Sequence, residues 1–256
     1  MLKLTVVLPT YNEAENLPQM VAALFALEIP TLHILVVDDN SPDGTGQIAD
    51  RLAEQHTGRL SVLHNPNKGG LGPAYILGFK RAIADGADYI LQMDTDFSHQ
   101  PKYVPELLRA LEQGYDVVCG SRYVRGGGVD QSWSLYRKLL SWFANAIYVK
   151  AILHIPVNDA TGGYRLWRRE TLIGLDLDRV AANGYVFQVE MIYVTYRLGY
   201  RITEIPIYFP DRTIGESKMD QRIAREAALR VWEILGRHRQ LTPQMRRTEA
   251  YTPLKI

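Results

Sequence analysis

Short β-rich runs alternating with helical patterns constrain this chain more than any other feature. Residues 4–8, 34–37, 60–63, 89–93 and 117–119 are strand-like, and helical spacing separates them, as in Leu17, Val21, Leu24 and Phe25 after the first run. The run at 34–37 is continuous in Ile, Leu and Val rather than alternating, as a parallel strand covered on both faces requires. Strand–helix alternation predicts an α/β architecture: a doubly wound, mostly parallel sheet with flanking helices. At 256 residues the chain is long enough to bury a sizeable core.

Two of these runs stop at carboxylates. The run at 34–37 ends in Asp38 and Asp39, and the run at 89–93 ends in M-D-T-D-F-S-H, which places Asp94 and Asp96 two residues apart. If the chain is still extended there, both carboxylates face one point, and strand ends are where open α/β sheets place ligands. Converging carboxylates with the hydroxyls of Thr95 and Ser98 nearby suit a hard divalent cation, which brings or awaits phosphate oxygens. An acidic turn capping the next helix explains the same residues taken alone. Two acidic strand ends on one sheet edge favour a site. His99, beside the acidic turn, is expected to pack or to cap the helix that Pro101 helps to start, not to bind metal.

Composition removes several classes. Lys and Arg total 29 against 28 for Asp and Glu, so no global field recruits nucleic acid. The single cysteine, Cys119, excludes an internal disulfide and a cysteine-built metal site, and reads as a packed core thiol. No stretch approaches the ~20 apolar residues of a spanning helix, and the opening residues lack the apolar region of a signal peptide. A cytoplasmic chain is expected. Residues 133–153 form an aromatic amphipathic stretch with Arg137 and Lys138 near its start and Ser141 and Asn145 inside it. A C-terminal amphipathic helix is predicted over 222–239, with Ile223, Ala227, Val231 and Ile234 opposite Arg222, Glu226, Arg230, Glu233 and Arg237. Together these two elements suit an anionic membrane surface. Residues 240–256, with two prolines and little periodicity, read as a loose tail.

The motifs V-V-L-P-T-Y-N-E, V-V-D-D-N-S-P-D-G-T, N-K-G-G-L-G, M-D-T-D-F-S-H, G-S-R-Y, T-G-G-Y-R-L and D-R-T-I-G-E-S-K follow one another in that order. Together they resemble the polyprenyl-phosphate (dolichol-phosphate) mannosyltransferases of glycosyltransferase family 2. The resemblance implies a GT-A fold, with 1–239 as one catalytic domain. It implies inverting transfer of mannose from GDP-mannose to a polyprenyl phosphate, assisted by Mg2+ or Mn2+. By the same resemblance Pro9, Tyr11, Glu13, Val37 and Asp39 hold guanine and ribose, joined on the donor side by Asp94, Thr95 and Asp96. Asp96 and Ser98 would hold the metal; Thr95 stands where alanine is common and Ser98 where some members carry glutamine. Arg122, Arg212 and Lys218, taken as cations in flexible loops, would grip phosphate, and Arg122, Arg137, Ser141 and Arg212 would meet the acceptor. Asp159 would orient Arg165 or another cation, because an acceptor phosphate with a second pKa of about 6 needs no general base. A cytoplasmic-face location and a membrane-anchoring subunit as a further partner complete the expectation. The competing readings are a UDP-sugar donor on the same fold, or a non-catalytic nucleotide-sugar-binding subunit. Intact Asp94, Asp96, Arg212 and Lys218 argue against the last.

Overall fold

A computed structural model describes residues 2–211 and 221–251, leaving aside the side chains at 185 and 221–227. In chain order the elements are β1 (Leu4–Thr10), α1 (Asn16–Phe25), β2 (Leu32–Asp38), α2 (Thr45–Gln55), β3 (Leu60–His64), α3 (Leu71–Ala84), β4 (Tyr89–Gln92), α4 (Val104–Glu112) and β5 (Val117–Ser121). Then come β6 (Gly128–Val129), α5 (Leu135–Trp142), a π-helical turn (Phe143–Val149), α6 (Lys150–Leu153), β7 (Arg165–Arg168), α7 (Arg169–Leu175), α8 (Tyr185–Arg197), β8 (Ile202–Pro206), β9 (Tyr208–Phe209) and α9 (Gln221–His238).

The main sheet runs β3-β2-β1-β4-β7-β5-β8, with β6 and β9 paired in a small second sheet. Every pairing in the main sheet is parallel except those of β7, which lies antiparallel between β4 and β5. Strand β7 has no clear signature in the sequence: its four residues, R-L-W-R, carry no β-branched side chain. Its register sets Arg165 against both Gln92 and Cys119, so its start meets the ends of β4 and β5 at one edge.

Both faces of the sheet are buried. Val7, Leu35, Val37 and Ile90 face one hydrophobic cluster with Phe79 and Phe187, whereas Val6, Leu8, Ile34 and Leu91 face the other with Leu17 and Leu107. This two-sided burial is why the strand runs are apolar without alternation. Cys119 is buried in β5, and burial pushes its thiol up to about 12, so it is an inert core group.

The tail departs from expectation. Instead of hanging loose, residues 240–251 pack onto the fold. Tyr251 is buried and its hydroxyl accepts the Leu177 N–H at 2.5 Å. Arg246 donates to the carbonyls of Leu198 and Gly199 and stacks on Tyr200, and Arg247 pairs with Asp176. The contacts come from single anchors rather than a periodic face, so hydrophobic spacing could not announce them. Nearby, the buried Glu190 accepts from the Ala181 and Ala182 amides, Arg237 and His238, fixing the end of α9 to α8. Replacing Tyr251 by Ala should cost about 3 kcal/mol, a fall of roughly 6–12 °C in Tm. An unchanged melting curve would mean that the docked tail adds no stability.

Candidate active site

The carboxyl ends of β1, β2, β4 and β5 share one sheet edge, and the backbone there is unusually bent. Asn12 and Asn40, two residues past β1 and β2, and Phe97, five past β4, all have left-handed φ near +60° (62, 60 and 61°). For a bulky residue such as Phe97 this is a genuine outlier, and such outliers cluster at functional sites. The bend returns Ser98 to Asp96, whose Oδ1 accepts the Ser98 N–H at 3.0 Å. Asp96 lies in the buried floor, whereas the Asp94 side chain is 31% exposed. Asp94 Oδ1 accepts from the Tyr75 hydroxyl at 2.8 Å; burial, then the Asp94 charge, holds that phenol well above its ordinary range, so it remains a donor. His99 Nδ1 accepts the Asp94 N–H at 2.9 Å, its ring stacks on Tyr164, and burial pushes its pKa down. It is a neutral packing and turn-closing group, as expected.

Beside Asp96, the Ser98 hydroxyl is buried with no hydrogen-bond partner among the described residues. An orphaned hydroxyl next to a buried carboxylate fits a hard cation, which satisfies such an oxygen. Among the described residues no group of His, Cys, Asp or Glu forms a cage of its own. An ion here would complete its shell with phosphate oxygens or water.

A shelf of loops flanks the acidic turn. The amides of Asn12, Glu13 and Ala14 donate to Ser41, Thr45 and Asp43, stitching the end of β1 to the end of β2. Asp39 is committed to the N-K-G-G loop: it accepts from Asn65, Gly69 and Gly70 at 2.8–2.9 Å. Gly70 has φ +90°, a conformation that favours glycine. That clamp places the Lys68 ammonium 3.4 Å from the centre of the Tyr11 ring, a cation–π contact absent from the sequence-based assignments. Glu13 accepts from Asn16 at 2.7 Å, and Thr95 donates to the Pro9 carbonyl at 3.3 Å. Of the residues expected at the nucleotide, Val37 has its side chain fully buried in the core, and the Asp39 carboxylate organises the N-K-G-G loop.

Arg122 is also not the mobile cation expected. Its N–H and Nε donate to Asp159 Oδ2 at 2.9 and 2.7 Å, and Nη2 reaches Asp159 Oδ1 at 2.7 Å and the Thr161 hydroxyl at 3.0 Å. The loop after it is closed by the Gly127 N–H to Val124 and by β6 pairing with β9. Asp159 is fully buried and held from behind, its amide donating to Glu204 at 3.0 Å. Burial pushes its carboxyl up, but the Arg122 charge and hydrogen bonds outweigh burial, and the net shift is downward. The T-G-G motif also acquires a reason: a Cβ on Gly162 would lie 3.2 Å from Asp159 Oδ1. Asp159 thus orients Arg122, and Arg165 instead lies buried, donating to the Gln188 and Ala160 carbonyls.

The Arg122 guanidinium lies 5.2 Å from the centre of the Tyr123 ring, and the Tyr123 hydroxyl is 2.6 Å from Ser141 Oγ on α5. Tyr123 therefore bridges Arg122 and Ser141. Arg137, one turn earlier on α5, stacks on Trp133 and pairs with Asp211 at 3.4 Å. Arg212 and Lys218 lie outside the described residues.

The Glycosyl transferase family 2 profile matches residues 5–175. The chain belongs to glycosyltransferase family 2. It is 44% identical, over 91% of its length and 87% of the relative's, to polyprenol monophosphomannose synthase of Mycolicibacterium smegmatis. It is also 44% identical to undecaprenyl-phosphate mannosyltransferase of Micrococcus luteus, over 92% of this chain and 96% of that one. The resemblance read from the motifs is borne out by these relatives. Among solved structures, mannosyl-3-phosphoglycerate synthase from Rubrobacter xylanophilus superposes with a TM-score of 0.62 at 20% identity, over 92% of this chain and 73% of that one. Glucosyl-3-phosphoglycerate synthase from Mycobacterium tuberculosis, crystallised with Mn2+, UDP-glucose and phosphoglyceric acid, gives 0.64 at 20% identity, over 92% and 79%. These likenesses show the fold, a GT-A sheet.

Asp159→Asn should leave the Arg122 charge buried without its partner and cost about 3–5 kcal/mol in urea unfolding. The carboxyl is depressed in the folded state, so its contribution is intact above its unfolded value of about 4 and is lost as pH falls further. The stability gap between wild type and variant should therefore be flat above about pH 5 and close below about pH 4. A gap that widens in acid would contradict the pair.

Proposed function

We propose that this protein transfers mannose from GDP-mannose to the phosphate of a polyprenyl phosphate, with inversion at the anomeric carbon, at the cytoplasmic face of a membrane. One observation carries the reading: Tyr123 links Arg122 to Ser141, which lies on a helix whose outer face is apolar and exposed. Leu135, Tyr136, Leu139 and Phe143 are 72, 66, 55 and 49% exposed, an arrangement suited to an acceptor with a charged head and a lipid tail. The names of the two relatives agree with it. Among the described residues no helix is long and apolar enough to cross a membrane. The chain would therefore meet the bilayer through α5 and the exposed Leu229 and Trp232 of α9, alone or beside an anchoring subunit.

The donor side is assigned to the shelf and the acidic turn. Pro9, Tyr11 and Glu13 border the nucleotide, with Asp39 acting through the loop it holds, and Asp94 faces the ribose or sugar. A divalent ion, Mg2+ or Mn2+, would be held by Asp96 and Ser98 with the diphosphate and would offset charge on the departing GDP. Arg122, Arg212 and Lys218 supply the cations that keep two polyanions together. An acceptor phosphate oxygen then forms the bond to the anomeric carbon as the bond to GDP breaks, and the electron pair leaves with GDP. The attacking oxygen carries no proton to remove, because a phosphate monoester with a second pKa of about 6 is largely dianionic at neutral pH. Asp159, locked onto Arg122, has no part as a base.

The test is to incubate the protein with labelled GDP-mannose, Mg2+ or Mn2+ and a polyprenyl phosphate. Label should enter the lipid phase, chelator should stop it, and UDP-glucose should not substitute. Asp96→Asn should lower kcat by about 10²–10³ with the fold retained. Full transfer by that variant, or in excess chelator, would sink the metal assignment. Binding to vesicles should require anionic lipid and weaken as salt rises; a chain that never sediments with vesicles at low salt must rely on a separate anchoring subunit.

A further inference from the structure

Asn145 sits within the π-helical turn Phe143–Val149, on the element that presents the apolar face, yet it is only 1% exposed. A buried amide is costly unless its polar atoms are paired. Its Oδ1 accepts the Thr161 N–H at 2.9 Å and its Nδ2 donates to the Ser141 carbonyl at 2.9 Å. The helix is distorted in a way that keeps it there. Asn145, Val149 and Leu153 are all buried at intervals of four. In a regular α-helix such a stripe drifts by roughly 40° per step. The wider i→i+5 turn removes part of that drift, holding Asn145 inward while Trp142, Phe143 and Ile147 remain 46, 49 and 41% exposed. Short π-helical turns have poor intrinsic stability and recur at functional sites.

The two groups that Asn145 holds both lead to Arg122. Thr161, fixed through its amide, accepts from Arg122 Nη2 at 3.0 Å through its hydroxyl. Ser141, fixed through its carbonyl, meets the hydroxyl of Tyr123, the residue after Arg122, whose ring lies beneath the guanidinium. One amide thus joins the lipid-facing helix to both flanks of the site's buried cation.

We propose that Asn145 is a positioning residue that couples seating of the exposed helix face on a bilayer to the placement of Arg122. The inference rests on the membrane reading given above. A bilayer shifts the site only as far as it favours the ordered arrangement over the unseated one. The bonds of Asn145 transmit that preference from α5 to Thr161 and Arg122.

The coupling is read by supplying bilayer and acceptor separately. Transfer to a water-soluble short-chain prenyl phosphate is measured with and without acceptor-free vesicles of phosphatidylglycerol and phosphatidylcholine. Wild type should be stimulated severalfold. Asn145→Ala should bind the vesicles as well as wild type but lose the stimulation, and so should Thr161→Val, whereas Thr161→Ser, which keeps the hydroxyl, should retain it. A purely structural asparagine would lower Tm and basal rate and leave the stimulation ratio intact. Hydrogen exchange supplies a readout that needs no activity: vesicles should slow exchange at the Thr161 amide in wild type but not in Asn145→Ala. Stimulation and protection preserved in Asn145→Ala overturn the proposal, as do a wild type that shows neither and, should Asn145→Ala fail to fold, preserved stimulation in Thr161→Val. Absence of transfer to any acceptor by wild type, with the amide still protected by vesicles, would instead contradict the proposed reaction and leave the coupling standing.

Discussion

The buried pair of Arg122 and Asp159 is the interaction on which the rest of the site depends. A guanidinium that makes two hydrogen bonds to one carboxylate, with the Arg122 backbone N–H adding a third, is held in a single orientation, and the planar fork suits phosphate as well as carboxylate. Burying two charges is expensive, and the structure offsets the cost with further hydrogen bonds on each partner. Thr161 accepts from the guanidinium, Gly162 donates to the carboxylate, and Glu204 holds the backbone behind Asp159. This arrangement makes sense where two anionic substrates must be brought together and one cation must not wander. It also removes Asp159 from acid–base work.

Around that pair the sheet edge divides labour. The ends of β1 and β2 and the loop clamped by Asp39 form one side, rich in backbone amides fixed by side-chain acceptors. The acidic turn forms the floor, where left-handed Phe97 folds Ser98 back on Asp96. Segment α5 and its π-helical turn form the other side, polar inward at Ser141 and Asn145 and apolar outward. A soluble nucleotide sugar would approach the first side, and a lipid-borne phosphate the last.

Much of this was legible in the sequence, for identifiable reasons. Parallel strands buried on both faces produce continuous apolar runs, and each run stops where its strand reaches the site edge; Asp94, Asp96 and Asp39 therefore stood out. Strand β7 did not, because four residues rich in arginine carry no period. The partner of Arg122 could be named only as one role among several for Asp159, since 37 residues separate them and only tertiary packing joins them. Val37, adjacent to the site in sequence, has its side chain in the core, because both faces of this strand are covered. Asn145 left one trace, a lone amide in an amphipathic stretch, but its inward turn depends on the π geometry, which the sequence does not display. The docked tail was missed because Tyr251, Arg246 and Arg247 act as separate anchors.

The central claim is that the protein holds two polyanions in place and contributes no general base, Asp159 being committed to Arg122. The most direct measurement is the pH profile of kcat/KM for the acceptor, taken with a prenyl phosphate and with the corresponding phosphonate, whose second ionisation lies at higher pH. If the acceptor supplies its own ionised oxygen, the acid limb lies near the second pKa of the phosphate, about 6, and moves upward with the phosphonate by the difference between the two acceptors. A limb that stays fixed when the acceptor is changed would report a titrating group of the enzyme and contradict the account.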